Sequence, residues 1–352
     1  MDRQLTFAEA INEAMFQAME MDKSVICYGL GVDDPKGIFS TTLGLQEKFG
    51  KERVFDMPAS ENAMTGVAIG ASLNGIRPVM THQRLEFFLL AMDQLVNSAA
   101  KWHYMFGGHT SIPITIRLIV GQGWGNGPTH SQSLQAWFAH IPGIKVIMPT
   151  TAADAKGLLL SSIFDNNPVI FIEHRWLHNL EGEVPKGDFR IPLGEAKKIK
   201  TGNDFTIVSM SHMTIEALYA VEILEEHGIS IDLIDLRTVK PIDWEKIFSS
   251  VRKTGRLLAI DTGTSTGSIA SEIIARVSME CHESLKVAPQ RLALPDFPIP
   301  TSFSLTKDFY NRTEDIIDVV TRVLEVDLRG KDLIERDNFP HDVPGDWFKG
   351  PF

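Results

Sequence analysis

Residues 117–149, RLIVGQGWGNGPTHSQSLQAWFAHIPGIKVIMP, decide the fold class. An apolar run at 117–120 gives way to glycine at alternate positions from Gly121 to Gly127, then to a Thr-His-Ser-Gln-Ser cluster, a helical stretch, a Pro-Gly stop and a second apolar run. Alternate glycines free the backbone to bend sharply or to approach a ligand. The pattern predicts a strand, a loop and a helix, with His130 where the loop meets the helix, a frequent address for site residues in α/β proteins.

Working outward, short strand-like runs recur at 24–30 (SVICYGL), 77–82 (RPVMTH), 112–120 (IPITIRLIV), 143–149 (GIKVIMP) and 167–174 (NPVIFIEH), with helical segments between them. Thr6 and Glu9 form a Thr-x-x-Glu capping box that opens a helix running to about Met21. Strands alternating with helices mean a largely parallel sheet. Residues 181–200, rich in charge, Pro and Gly, read as a linker. Beyond it DFTIVSM (204–210), a helix marked by Ile215, Leu218, Val221 and Leu224 and closed by Gly228, ISIDLIDL (229–236) and RLLAID (256–261) repeat the alternation. The expectation is an α/β chain of two consecutive doubly wound domains, 1–180 and 201–326. A weakly periodic tail, 327–352, is expected to pack over a surface or a partner.

At 352 residues the chain is long enough for two filled cores. Its net charge of -11 opposes binding to nucleic acid or to acidic membranes, so proteins and small molecules are the expected partners. No apolar run reaches transmembrane length, and MDRQLTFAEA lacks the regions of a secretion signal, which points to a cytoplasmic protein. Cys27 and Cys281 lack ligand spacing and read as reduced, buried thiols. The Gly121 loop has no Gly-Lys-Ser/Thr and no G-x-G-x-x-G between strand and helix; G-x-S-x-G and His-Glu-x-x-His are also missing. Nucleotide, hydrolase and zinc-protease readings lose their support.

What remains is a set of polar residues at strand ends. Glu61 follows Ser60, a helix cap, and opens a segment with small residues at Ala63, Gly66, Ala68, Gly70 and Ala71. An acidic residue there ordinarily complements the helix dipole; partly desolvated, it can instead share a proton with a ligand heterocycle. His130 is either a capped structural histidine or an imidazole oriented by Thr129, Ser131 and Gln132. Phe87 and Phe88 read first as core, with stacking against a planar cofactor as the alternative. Asp93 and Asn97, four apart, share one helical face.

These segments resemble the β subunit of thiamine-diphosphate-dependent 2-oxoacid dehydrogenases, the E1 component, within the transketolase-like group. DMPASENAMTGVAIGASLNGIRPV resembles the family's cofactor-glutamate helix, DQLVNSAAK its next helix, and THSQSLQAWFAHIPGIKVIMP its active-site histidine segment; ISIDLIDLRTVKPIDWEKIFSSVRKTGRLLAID resembles the family's C-terminal domain. The resemblance spans the chain to about Leu324. It implies a transketolase-like pyrimidine-binding domain followed by a transketolase C-terminal domain. It places the cofactor glutamate at Glu61, an aromatic beside the aminopyrimidine at Phe87, and the histidine of proton or acyl transfer at His130. It implies oxidative decarboxylation of a 2-oxoacid, pyruvate or a branched-chain acid among others, with the acyl group passed to a lipoyl arm on an E2 partner. A structural potassium ion is implied around Ile114, Ser162, Ile163, Asp165 and Asn167.

The diphosphate and its magnesium need a Gly-Asp-Gly motif followed by paired asparagines, and the chain has only Gly187-Asp188-Phe189. An α subunit is therefore expected to supply that half of the site, in an α2β2 assembly with Glu61 and His130 at the interface. Two stretches depart from the family. Gly29-Leu30-Gly31 stands where many relatives carry Gly-Glu-Asp, and His82, Gln83, Arg84 and Leu85 replace aromatic and small residues. His82 and Arg84 read as surface residues, or as ligands for an anionic or sugar-like acceptor. A carboligase that passes the acyl group to an aldehyde, ketone or sugar, and a non-catalytic scaffold, stand as alternatives to the dehydrogenase.

Overall fold

The expected capping box sets the start of the first helix. In the computed structural model, which describes residues 3–334, 340–345, 348 and 350, strand β1 (Arg3–Thr6) leads into helix α1 (Phe7–Met21). The Glu9 N–H donates to Thr6 Oγ1 at 3.2 Å, and the Thr6 N–H donates to Glu9 Oε2 at 2.7 Å. Two of the orphan donors at the helix start are thereby satisfied. The inward face of α1 is largely alanine, with Ala10, Ala14 and Ala18 buried, which lets it pack closely against α6 (Ala152–Ile163).

The chain divides into two units, Met1–Gln122 with Thr129–Leu193 and Asp346–Phe352, and Gly123–Pro128 with Gly194–Gly345. The first holds β2 (Val25–Gly29), α2 (Leu45–Phe49), β3 (Val54–Asp56), α3 (Glu61–Leu73), β4 (Arg77–His82), α4 (Ala100–Met105), β5 (Thr115–Val120), α5 (Gln135–His140), β6 (Lys145–Ile147) and β7 (Val169–His174). Within it the strands lie in the order β6-β7-β5-β4-β2-β3, every neighbouring pair parallel. The order reverses at β2, which has β3 on one side and β4 on the other. The carboxyl ends of these strands therefore flank a topological switch point, the place where open α/β sheets bind ligands. β5 and β7 are buried at every residue, which is why they read as continuous apolar runs rather than alternating ones.

The second unit holds β9 (Lys197–Lys200), β10 (Phe205–Ser209), α7 (His212–Glu226), β11 (Ile231–Asp235), β12 (Thr238–Lys240), α8 (Trp244–Thr254), β13 (Leu257–Thr264), α9 (Ile269–Glu280), β14 (Gln290–Leu294), α10 (Phe303–Thr306), α11 (Thr313–Leu324) and α12 (Gly330–Leu333). Its sheet runs β14-β13-β10-β11-β9, with only β9 antiparallel. Leu224 of α7, Leu233 of β11, Ile260 of β13 and Ile317 of α11 meet in one buried core.

Three expectations change. The expected linker at 181–200 carries β8 (Glu181–Val184), antiparallel to β1, and β9, antiparallel to β11. Both are polar strands, three of the four β8 residues being at least partly exposed, so no apolar alternation announced them. The tail forms α12, whose Gly330 N–H donates to Asp318 Oδ1 at 2.7 Å; its residues 335–339 lie outside the described set. After β4 the chain runs as a 3-10 turn, Leu85–Ala91, then a π-helix, Gln94–Ala99, with Asn97 Nδ2 donating to Asp93 Oδ1 at 2.7 Å. Among the described residues no helix is long and apolar enough to cross a membrane.

Candidate active site

At the switch point the loops after β2, β3 and β4 are tied together. Gly29 faces Thr81 across the β2–β4 pair, and a Cβ at Gly29 would lie 2.1 Å from the Thr81 carbonyl oxygen, so only glycine fits. The Gly31 N–H donates to Asp56 Oδ1 at 2.8 Å, and Gln83 Nε2 donates to the Leu30 carbonyl at 3.1 Å.

Glu61 begins α3, as the sequence predicts, although Ser60 occupies the cap position without making a side-chain cap bond. Tyr28 Oη donates to the Met64 carbonyl at 3.0 Å and anchors the first turn of α3 to β2. Glu61 is 6% exposed as a residue, and its carboxylate makes no hydrogen bond or ion pair among the described residues. The helix packs against the 3-10 turn that carries Phe87.

Phe87 and His130 are brought together, with ring centroids 5.7 Å apart and planes at 89°. Thr129 Oγ1 lies 3.0 Å from His130 Nδ1, which leaves Nε2 as the nitrogen open to a ligand. His130 stands in the loop rather than at the helix end, because α5 begins only at Gln135. A Cβ at Gly121 would lie 2.5 Å from the His130 carbonyl oxygen, so the first glycine of the ladder serves a close approach of backbone to backbone. Gln122 is held to the end of β7 by the Trp176 Nε1 donor at 3.1 Å and by His174 Nε2 at 3.2 Å. Glu86 Oε1 accepts from the Gln132 N–H at 2.6 Å. Burial raises the Glu86 carboxyl above the ordinary range, against the lowering pull of Gln132, His130 and Arg84.

His82 and Arg84 are buried, not surface residues, at 2% and 7% exposure. β4 is covered to its last residue and the 3-10 turn folds Arg84 back inward. Burial holds His82 down to about 4, so it is neutral at pH 7, edge-on to Phe88. The sequence reading also missed Glu86 and the Arg117–Glu173 pair, whose members join at 2.6 and 3.0 Å with no exposure. A signal was present for the pair, since each charge interrupts an otherwise apolar strand. Burial alone would raise Glu173, and the Arg117 charge with the His178 and Arg117 hydrogen bonds outweighs it, bringing the carboxyl to about 2.

The potassium candidates lie around the end of α6 and the ends of β5 and β7. Arg77 Nη1 donates to the carbonyls of Ile163 at 3.2 Å and Asp165 at 2.9 Å, and the Ile114 carbonyl accepts from Val169 N–H at 2.9 Å. Ser162 Oγ donates to Leu158 O, and the Asn167 N–H donates to Asp165 Oδ1. The Arg77 guanidinium already brings positive charge to these carbonyls. The residues present do not call for an alkali ion, and no step is drawn through one.

The sequence matches the pyrimidine-binding domain of transketolase over residues 3–179 and the transketolase C-terminal domain over residues 194–316. It is 42% identical to the β subunit of acetoin:2,6-dichlorophenolindophenol oxidoreductase of Cupriavidus necator, over 88% of this chain and 94% of that protein. It is 41% identical to the 2-oxoisovalerate dehydrogenase β subunit of Bacillus subtilis, over 87% and 94%, and 38% identical to the pyruvate dehydrogenase E1 β subunit of the same organism, over 92% and 99%. Among solved structures, an inactive β4 tetramer of a split-gene transketolase superposes with a TM-score of 0.74 at 23% identity, over 92% of this chain and 99% of that one, a likeness of fold.

Proposed function

The chain belongs to the transketolase-like family of 2-oxoacid dehydrogenase E1 β subunits, and from that premise we propose that it supplies the pyrimidine-binding half of a thiamine-diphosphate site. The proposed reaction is oxidative decarboxylation of a 2-oxoacid. The observation that supports the site assignment is Glu61, a residue only 6% exposed at the opening of α3, whose carboxylate has no partner among the described residues. An aminopyrimidine ring offers the polar nitrogen this carboxylate lacks. Bound thiamine diphosphate supplies an electron sink for the carbanion left by carbon dioxide.

The chain's own residues then divide the work. Glu61 holds a proton at the pyrimidine nitrogen, where partial desolvation strengthens the interaction. Phe87 forms an apolar wall and fixes the His130 ring by its edge-on contact. His130, tethered through Nδ1 by Thr129, directs Nε2 to the reacting side and holds or moves a proton there.

The diphosphate half is assigned to an α subunit, which would also carry magnesium, in an α2β2 assembly that delivers the acyl group to a lipoyl-bearing partner. Exposed Val67 and Leu73 on α3 and Leu90 in the 3-10 turn, together with open space above Gly70, support a partner on this face. The test is reconstitution with the co-purifying α chain and assay of 2-oxoacids with an artificial electron acceptor. Decarboxylating turnover that needs both chains and thiamine diphosphate is expected. Full turnover by Glu61→Gln in that complex would sink the assignment, and decarboxylation without acyl transfer to lipoamide would favour the carboligase.

A further inference from the structure

Two guanidiniums approach one ring at the switch point. The Arg84 Cζ lies 5.4 Å from the Phe39 centroid and the Arg175 Cζ lies 4.5 Å from it. Both side chains are buried, with 7% and 3% of each residue exposed, and buried cations ordinarily find a carboxylate. Neither forms a salt bridge among the described residues; Glu173, the buried carboxylate on β7, is held by Arg117, and Glu86 acts on Arg84 through its charge without a hydrogen bond to it. A guanidinium carries five N–H donors. Arg84 uses one, from Nη1 to the Gln83 carbonyl at 2.8 Å, and Arg175 donates from Nη2 to the Gly350 carbonyl at 2.9 Å. Among the described residues the Nε atom of each is buried with no acceptor.

The surroundings are built, and cavities open beside Phe39 and Arg175, with Arg84 behind the ring rather than in their lining. Phe39 and Ser40 hold left-handed backbone conformations, φ 46° and 66°, which non-glycine residues adopt only when their surroundings impose it. Phe39 forms a wall of a cavity of about 330 Å³ that Arg175 also lines, and of another of about 340 Å³ lined by Lys36 and Gln83. Of the acidic groups lining them, Glu9 is engaged by the Thr6 cap and Asp34 by the Lys36 N–H. Burial and then the Arg84 charge hold Arg175 down to about 10, a cation still at pH 7. The reacting groups are close. A Cβ at Gly121 would lie 3.1 Å from Arg84 Nε and 2.5 Å from the His130 carbonyl, so Arg84 rests against the backbone that presents His130.

We propose that Arg84 and Arg175, gathered on Phe39, form a subsite for an anionic group, a carboxylate or phosphate carried by the substrate or the acyl acceptor in addition to the 2-oxo acid function. This rests on the assignment of the reacting site to the same sheet edge. A bound anion would supply acceptors for the orphaned donors and offset two like charges that the fold holds together.

The test separates the two readings. Inorganic phosphate and malonate are titrated calorimetrically into the full-length chain, its Arg84→Gln and Arg175→Gln variants, Arg84→Lys, and Glu61→Gln. Saturable binding by the wild type is expected, weakened at least about tenfold in either glutamine variant, since a hydrogen bond to a charged group is worth that much. Arg84→Lys keeps the charge and should bind between these limits, which guards against a folding artefact. The tighter of the two anions identifies the group. No binding by the wild type, or equal binding by wild type and Arg84→Gln, overturns the subsite. Glu61→Gln should bind the anion unchanged. If that variant also keeps full turnover in the assembled enzyme, the cofactor assignment falls while the binding result still decides the subsite.

Discussion

At the scale of single residues, position in the sheet decides which polar groups are chemically available. Glu61 lies at the sheet's carboxyl end with its carboxylate unengaged among the described residues, whereas Glu173 is buried and engaged by Arg117. Glu61→Gln in the reconstituted complex should lower kcat by about 10²-fold or more with little change in KM for the 2-oxoacid, as expected for a lost general acid–base group. Thr129→Val releases the His130 ring and should lower kcat several-fold with little change in KM, whereas Thr129→Ser, which keeps the hydroxyl, should restore it. Gly29→Ala drives a methyl into the Thr81 carbonyl and should destabilise the chain by about 1–3 kcal/mol in urea denaturation. The helix start at Glu61 was legible because a cap residue, an acid and a run of small residues mark it. Arg84 was not, because nothing in a local window tells whether a turn residue folds outward or back under the sheet.

At the scale of elements, β5 and β7 show how a parallel sheet accommodates charge. Arg117 and Glu173 lie in fully buried strands paired in register, and their bidentate contact is what makes burial of either tolerable. Glu173→Gln should therefore cost about 3–5 kcal/mol, while the double change Arg117→Met with Glu173→Leu should cost much less, since a well-packed apolar pair can replace a buried ion pair. Equilibrium denaturation of the single and double variants measures the difference. Interior strands and the capped helices α1 and α7 followed from apolar period and punctuation. The polar strands β8 and β9 did not, because their pairing rests on backbone hydrogen bonds that leave no apolar signature. The 3-10 and π turns after β4 were likewise invisible, since LEFFLLAMDQLVNSA carries an ordinary helical pattern.

At the scale of the whole molecule, buried neutral histidines set the response to acid. Burial holds His82 and His178 down to about 4 and His212 to about 3, the nearby Glu173 carboxylate, 3.3 Å from Nε2, partly opposing the effect at His178. The unfolded chain takes up these protons from about pH 6.5 downward and the folded chain does not. Stability should therefore fall as the pH drops from about 6.5 towards 4, with a slope approaching ~4 kcal/mol per pH unit for three protons. Urea midpoints at pH 7, 6 and 5 check this, and His82→Phe should remove roughly a third of the slope. Below that range Glu173 adds to the loss, because its depressed carboxyl takes up a proton only near pH 2 in the folded chain but already near ~4.3 in the unfolded one. The sequence by itself determined the α/β alternation, the family and the positions of Glu61, Phe87 and His130, because these depend on local period, punctuation and long ordered motifs. Only the tertiary structure decided that Phe87 meets His130, that the Glu61 carboxylate is unengaged among the described residues, and that Arg84 and Arg175 converge on Phe39. Those facts depend on which strands become neighbours, and burial and pairing across distant segments are not encoded in any one of them.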